Sequence, residues 1–351
     1  TDILAALLIF LFFKKKTSIS FRSWFVQFFC YLLATSLLLS VNQGAALYRL
    51  LKIVEFLILG VALYQTRCFK EIVLKQALSL AVIFTSLLGL AQLFKGASLG
   101  LWFLGERQIS LTTVSIAKIQ IASFEFLRPY ATFSHPNSLA GFVLVSLLIL
   151  LPFKLKIEKI ALFLGIIIIF LSWSQTAWLV SGIFVLYFYL KKKTRFCFTN
   201  SLKIVALLFL FLLSLSPILL SLISNSQEIL TRKELLDSSF NIIKQNFALG
   251  LGLNNFIPSL PLYLSSREYW LLQPVHNVYL LIATEIGLIG IILLGWGLRL
   301  ITLKPIFSSF VFWAILLTGS LDHYWLTLQQ NQLLLVVVLV YSLRAKKLQS
   351  L

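Results

Sequence analysis

Eleven apolar segments, several of them about as long as a bilayer is thick, constrain this chain more than any other feature. They lie at about 2–13, 23–41, 46–64, 76–94, 137–153, 160–173, 176–190, 204–223, 277–298, 306–321 and 325–343. A spanning helix takes ~20 apolar residues; several segments are shorter, so their boundaries are soft. In total 59% of residues are hydrophobic and 12% are charged, against about half and about a quarter in a soluble protein. The same imbalance excludes intrinsic disorder. Backbone amides in lipid need internal partners, so the segments are expected to be helices and not strands. The expected fold is all-α: a polytopic transmembrane helical bundle of about eleven spans, forming a single integral membrane domain over 1–351.

Charge orients the bundle. The chain has 30 Lys+Arg against 12 Asp+Glu, a formal +18, which in a soluble protein would suggest nucleic-acid binding. Most of the basic residues instead fall in alternate connections, such as Lys14-Lys15-Lys16, Lys154 to Lys159, Lys191 to Arg195 and Arg344 to Lys347. That face is expected to be cytoplasmic, and nucleic acid is not an expected partner. The opposite face carries two long loops, 95–136 and 224–276. The outer basic residues are Lys95, Arg107, Lys118, Arg128, Arg232, Lys233, Lys244 and Arg267.

Thr1 opens in an apolar run that precedes its basic cluster, the reverse of a secretory signal, and further spans before it are left open. Cys30, Cys68 and Cys197 are widely spaced, with no disulfide framework or zinc motif.

The second outer loop is expected to be partly helical. Ile229, Leu236, Phe240, Ile243 and Phe247 recur at helical spacing, and Thr231 with Glu234 resembles a capping box. Such a helix could rest at the bilayer interface or wall a site. His135, His276 and His323 are the three histidines, and all fall at outer ends of spans. His135 lies in a run from Arg128 to Ala140, where Pro136 suits a helix start and Asn137 or Ser138 a cap. A helix N-terminus of this kind suits a phosphate. Gly250-x-Gly252 lacks the third glycine and preceding strand of a dinucleotide loop and reads as a turn. His276-Asn277 leads into Glu285, a carboxylate about two turns inside the membrane and hence a functional candidate. Asp322 adjoins His323 in a short outer turn and could orient an imidazole. Arg49, Lys52 and Glu55 share one face of the 46–64 segment; they suit either an anionic lipid headgroup or an internal ion-pair ladder.

These motifs occur in a specific order. Arg128-x-x-x-Thr132-Phe133-x-His135-Pro136-Asn137-x-x-Ala140 precedes the tight turn Ser172-Trp173-Ser174-Gln175. Then come Arg232, Gly250-x-Gly252-x-x-x-Phe256, His276-Asn277-x-x-Leu280 and Glu285-x-Gly287-x-x-Gly290. The series resembles the O-antigen ligase and polymerase superfamily of bacterial envelope glycan enzymes, over about 120–300 in motifs. The resemblance implies a metal-independent, inverting glycosyltransferase in the bacterial plasma membrane, working on the extracytoplasmic face without a cofactor. It would move a glycan from a polyprenyl-pyrophosphate carrier to a hydroxyl of a glycan, lipid or protein acceptor. It implies His276 and Arg232 as catalytic, with Arg128, His135, Asn137, Asn277, Glu285, Asp322 and His323 as substrate-binding candidates. The chain departs from the family at Gln175, where an Arg is common, and at Val275, where a Pro commonly precedes the His. Arg128 or Lys95 could replace the lost charge. No DxD-like acidic pair stands in either outer loop, which argues against metal-dependent transfer. Ligase, polymerase and protein glycosyltransferase share these motifs, and a flippase of the same lipid-linked glycan is the non-enzyme alternative.

Overall fold

The computed structural model describes residues 19–65, 70–193 apart from 115 and 122, 227–300 apart from 266 and 267, and 306–348 apart from 308. Its helices are α1 (Ile19–Leu38), α2 (Gln43–Gln65), α3 (Glu71–Lys95), α4 (Pro136–Leu150), α5 (Lys156–Leu171) and α6 (Gln175–Lys193). After these come α7 (Gln227–Gln245), α8 (Val278–Leu300), α9 (Phe310–Gly319) and α10 (Gln329–Leu348). Every expected span that falls on described residues is helical; those at 2–13 and 204–223 lie outside them. Glu71–Lys95 and Val278–Arg299 are each long and apolar enough to cross a membrane. Ser23–Leu38, Pro136–Leu150, Gln175–Leu190 and Phe310–Gly319 are apolar but shorter.

The packing is centred on α4. Except for Phe142, all its residues from Pro136 to Leu150 are buried, which fits a helix apolar on every side. It is surrounded by α3, α5, α6, α9 and α10, and Leu139, Val143, Val145 and Ile149 anchor the main core. The bundle centre is therefore filled with side chains. At the edges, α1 packs on α8 and α2 on α10.

The first outer loop holds an element absent from the expected fold. Lys118–Ile121 (β1) and Phe124–Leu127 (β2) form an antiparallel hairpin. A search for long apolar runs passes over two four-residue strands of alternating polarity. Two buried side chains organise the rest of that loop. Gln92 Nε2 donates to Glu106 Oε1 (2.8 Å) and to the Ala131 carbonyl (2.9 Å). Glu106 also accepts the backbone N–H groups of Leu99 and Leu101. Burial opposes the charge on Glu106, but these hydrogen bonds outweigh it and hold the carboxyl below its usual value.

The second outer loop joins the bundle through its backbone. α8 breaks at Gly287 (φ 58°, ψ −174°), which would strand peptide groups within a span. The turn at 247–252 supplies their partners. Leu251 and Gly252 donate N–H to the carbonyls of Thr284 and Glu285 (3.0 Å each). Leu288 and Ile289 donate to the carbonyls of Phe247 (2.9 Å) and Ala248 (3.0 Å). Tyr31 Oη of α1 lies 2.5 Å from the Ile286 carbonyl and 3.0 Å from that of Leu249. Gly250-x-Gly252 and Glu285-x-Gly287 are thus two halves of one backbone joint. A Cβ on Gly250 would stand 2.5 Å from the Glu285 carbonyl oxygen, and one on Gly287 2.5 Å from the Gly250 nitrogen.

Gly250→Ala or Gly287→Ala should each cost ~2 kcal/mol or more, from left-handed backbone strain plus the clash. Gly295→Ala, where an added Cβ meets nothing within 4 Å, should be neutral. Thermal unfolding of the detergent-solubilised protein separates the three; equal midpoints would remove the joint's structural role.

Candidate functional site

A cavity of about 940 Å³ opens at the end of the bundle that carries the 95–136 and 224–276 loops. Arg128, His135 and Asn137 reach it from the start of α4, and Trp173 and Gln175 from the α5–α6 turn. Arg232 reaches it from α7, and Trp270, Gln273 and His276 from the end of the second outer loop. Five of the expected site residues therefore share one cavity.

At the start of α4 the expected capping is corrected. His135, in extended backbone, is the N-cap: its Nδ1 accepts the Asn137 N–H (3.2 Å), and Pro136 opens the helix. Asn137 does not cap because its side chain bridges other groups. Its Oδ1 accepts from Arg128 Nη2 (2.7 Å), and its Nδ2 donates to Asp322 Oδ2 (3.1 Å). Arg128 Nε also donates to the Ser172 carbonyl (2.7 Å). The guanidinium thus lies on the very turn where the resemblance leads one to expect an Arg and the chain has Gln175. Lys95 instead bonds the Ser98 carbonyl in the first outer loop.

α7 is helical as expected, but its N-terminus and buried face differ. The helix already runs from Gln227, so Thr231 lies inside it, and Glu234 accepts from the Ser265 N–H (3.0 Å). Leu235, Leu236 and Ile242 are buried while Phe240 and Phe247 are exposed, because α7 packs on α8. Arg232 Nη2 pairs with Glu228 Oε1 at 2.8 Å, and both line the cavity.

Asn277 caps α8. Its Oδ1 accepts the Leu280 N–H (3.0 Å), and its Nδ2 donates to the Ser320 carbonyl (3.0 Å). It holds the chain at His276 but does not line the cavity. Glu285 does not line the cavity either: it accepts the backbone N–H of Asn254 and faces Arg49. The structure thus separates Glu285 from the other candidates.

Asp322 and His323 stand behind His276. Asp322 Oδ1 is 3.8 Å from His276 Nδ1, longer than a hydrogen bond; that nitrogen is buried with no hydrogen-bond partner. His276 Nε2 lies 3.3 Å from Gln273 Oε1. The imidazoles of His276 and His323 are 5.2 Å apart, and His323 Nδ1 bonds Thr327 Oγ1 (2.7 Å). Burial alone would raise the Asp322 carboxyl, but His276 and the other two imidazoles outweigh it and hold the group well below the carboxylate range. Burial pushes His135 down to about 3 and His323 down to about 4, with Asp322 only partly opposing. Both imidazoles are therefore neutral near pH 7. His276, Asp322 and His323 also place their ligand atoms within 4.8 Å of one another, close enough to hold a metal ion.

Sequence reasoning missed Trp173 and Trp270. Each exposes a large ring to the cavity from a loop, and aromatic residues in outer loops were the available signal.

Residues 160–295 match the family model described as O-Antigen ligase. The match covers 136 of the 351 residues and shows a likeness to that family over this segment. It supports the resemblance to the O-antigen ligase-like superfamily, whose members are integral membrane proteins and glycosyltransferase-type enzymes of polysaccharide biosynthesis. The O-antigen ligase match takes in Arg232, His276, Asn277 and Glu285; Arg128, His135, Asn137, Asp322 and His323 join the site from outside it. No curated protein and no solved structure matches the chain.

His135 and His323 give the site a pH signature. In the unfolded chain each takes a proton near its ordinary value of 6.5, so between 6.5 and about 4 the unfolded state binds more protons. Stability must fall as pH falls through that window. At pH 5 the loss should be about 2 kcal/mol per histidine, read from thermal midpoints. His135→Asn keeps an N-cap and should flatten the slope; an unchanged slope would reject the neutral, buried imidazole.

Proposed function

We propose that this protein transfers a glycan from a polyprenyl-pyrophosphate carrier to an acceptor hydroxyl on the extracytoplasmic face of a multi-pass bacterial plasma-membrane bundle. The observation that carries the reading is that His276 opens on the same cavity as Arg128 and Arg232, with Asp322 3.8 Å behind it. An acceptor hydroxyl is a weak nucleophile, and a neutral imidazole can take its proton as the bond forms. His276 Nε2 receives that proton, and Asp322 steadies the resulting imidazolium through Nδ1. The acceptor oxygen bonds the anomeric carbon as the carbon–oxygen bond to pyrophosphate breaks. Polyprenyl pyrophosphate then leaves as an anion, whose charge needs neutralisation more than protonation. Guanidinium groups match phosphate oxygens in pairs, and Arg128 and Arg232 fill that role. The ring faces of Trp173 and Trp270 offer apolar platforms for sugar.

Direct displacement inverts the anomeric centre, and no metal takes part in the step. The filled core around α4 favours an enzyme over a flippase, which needs a polar path through the bundle. Ligase, polymerase and protein glycosyltransferase differ only in the acceptor.

Reconstitution with a labelled lipid-linked oligosaccharide tests the reading. His276→Ala should lower transfer ~10²- to 10⁴-fold with an unchanged thermal midpoint, and full activity would refute its role. Asp322→Asn should reduce kcat more than it raises KM for the donor. Chelation with EDTA should leave the rate unchanged; loss of activity restored by zinc would instead assign a metal to His276, Asp322 and His323. Retained anomeric configuration in the product would sink the displacement mechanism. Longer lipid-linked chains would identify a polymerase, transfer to a core lipid or protein a ligase, and mere change of leaflet a flippase.

A further inference from the structure

A second cavity, of about 640 Å³, runs between α2 and α10, away from the residues of the catalytic cavity. Its walls are almost wholly apolar, with Ile53, Leu57, Val61, Val336 and Leu339 along its length. On α2 the lining extends from Arg49 to Gln65, ~24 Å at the helical rise per residue, which is room for one extended hydrocarbon chain. At the inner end the side chain of Arg344 bonds the Tyr64 carbonyl (2.8 Å).

Arg49 stands at the outer end. The three charges of the 46–64 segment do not form a ladder. Lys52 Nζ pairs with Glu55 Oε2 at 2.7 Å and lies over the Tyr48 ring. Arg49 joins neither. Glu285 is the carboxylate that faces it, but among the described residues no acceptor is hydrogen-bonded to its guanidinium. A half-buried guanidinium at membrane depth with no bonded acceptor is costly, and a guanidinium matches a phosphate oxygen pair. An apolar chain seat ending in a donor-rich guanidinium with free N–H groups has the form of a phosphate-headed lipid.

We propose that this groove holds a resident glycerophospholipid, with its phosphate on Arg49 and one acyl chain between α2 and α10. One guanidinium suits one phosphodiester, whereas the two arginines of the outer cavity suit a pyrophosphate. The groove's outer wall includes Trp325 and Leu326, in the short helix Tyr324–Thr327 that directly follows Asp322 and His323. The lipid therefore braces, from the membrane side, the turn behind His276. The proposal rests on reading α2 and α10 as membrane helices but not on the catalytic assignment, and its test reads lipid binding alone.

Native mass spectrometry of the detergent-solubilised full chain, titrated with phosphatidylglycerol and separately with polyprenyl pyrophosphate, is the test. Arg49→Gln should weaken binding of the first phosphatidylglycerol about tenfold, the loss of one charge-assisted pair. Lys52→Gln should leave it within about twofold, since that ammonium is already paired. Gly60→Leu keeps Arg49 but fills the groove, because a Cβ there already meets Val336 Cγ1 at 3.4 Å; it should also weaken binding about tenfold. It serves as the readout if Arg49→Gln does not fold. Unchanged phosphatidylglycerol binding in both groove variants would overturn the proposal. So would weakened polyprenyl pyrophosphate binding with phosphatidylglycerol unaffected, which would give the groove to the donor.

Discussion

The outer site depends on a backbone joint inside α8. A helix broken at Gly287 leaves peptide groups that lipid cannot satisfy, and the carbonyls and N–H groups of 247–252, with the Tyr31 hydroxyl, partner them. The joint works in both directions. It makes a broken span tolerable in a membrane, and it fixes the second outer loop to the bundle without needing side-chain complementarity. α7, and with it Arg232, hangs from one side of this joint; His276 sits nine residues before Glu285 on the other. The distance between Arg232 and His276 is therefore set by backbone geometry. The close approach of Gly250 and Gly287 is what the joint demands of the sequence.

A polar chain does for the first loop what the joint does for the second. It runs from the Ser172 carbonyl through Arg128, Asn137 and Asp322 to His276. Four segments far apart in sequence meet in it. Hydrogen bonds to charged groups are worth about 1.5–3 kcal/mol each, and removing one partner strands the other. Arg128 thus has two duties, tying the α5–α6 turn to α4 and presenting charge to the cavity. This is why Gln175 need not leave the turn uncharged.

The helices were legible because apolar runs of span length have few other fates. The cluster of histidines was legible for a simpler reason: once alternating charge sorted the connections into two sets, all three stood beside the same set. Other features resisted reading for definite causes. The joint pairs backbone with backbone, and such pairing leaves no periodicity, only glycines that look like ordinary turns. Glu285 looked like a site residue because a carboxylate within an apolar segment is costly, but it is turned to the Asn254 N–H and Arg49, away from the cavity. Asn137 was assigned a cap by composition rules, and tertiary hydrogen bonds claimed its side chain first. The β-hairpin fell below the length at which alternation is noticed.

The break in α8 also changes what a moving helix can do to the site. A straight span answers hydrophobic mismatch by tilting along its whole length. Here the backbone on both sides of Gly287 is bonded to 247–252: the carbonyls of Thr284 and Glu285 accept from it, and the N–H groups of Leu288 and Ile289 donate to it. Tilt of α8 is therefore carried to α7 and Arg232 together with His276, and the spacing of the two side chains is kept.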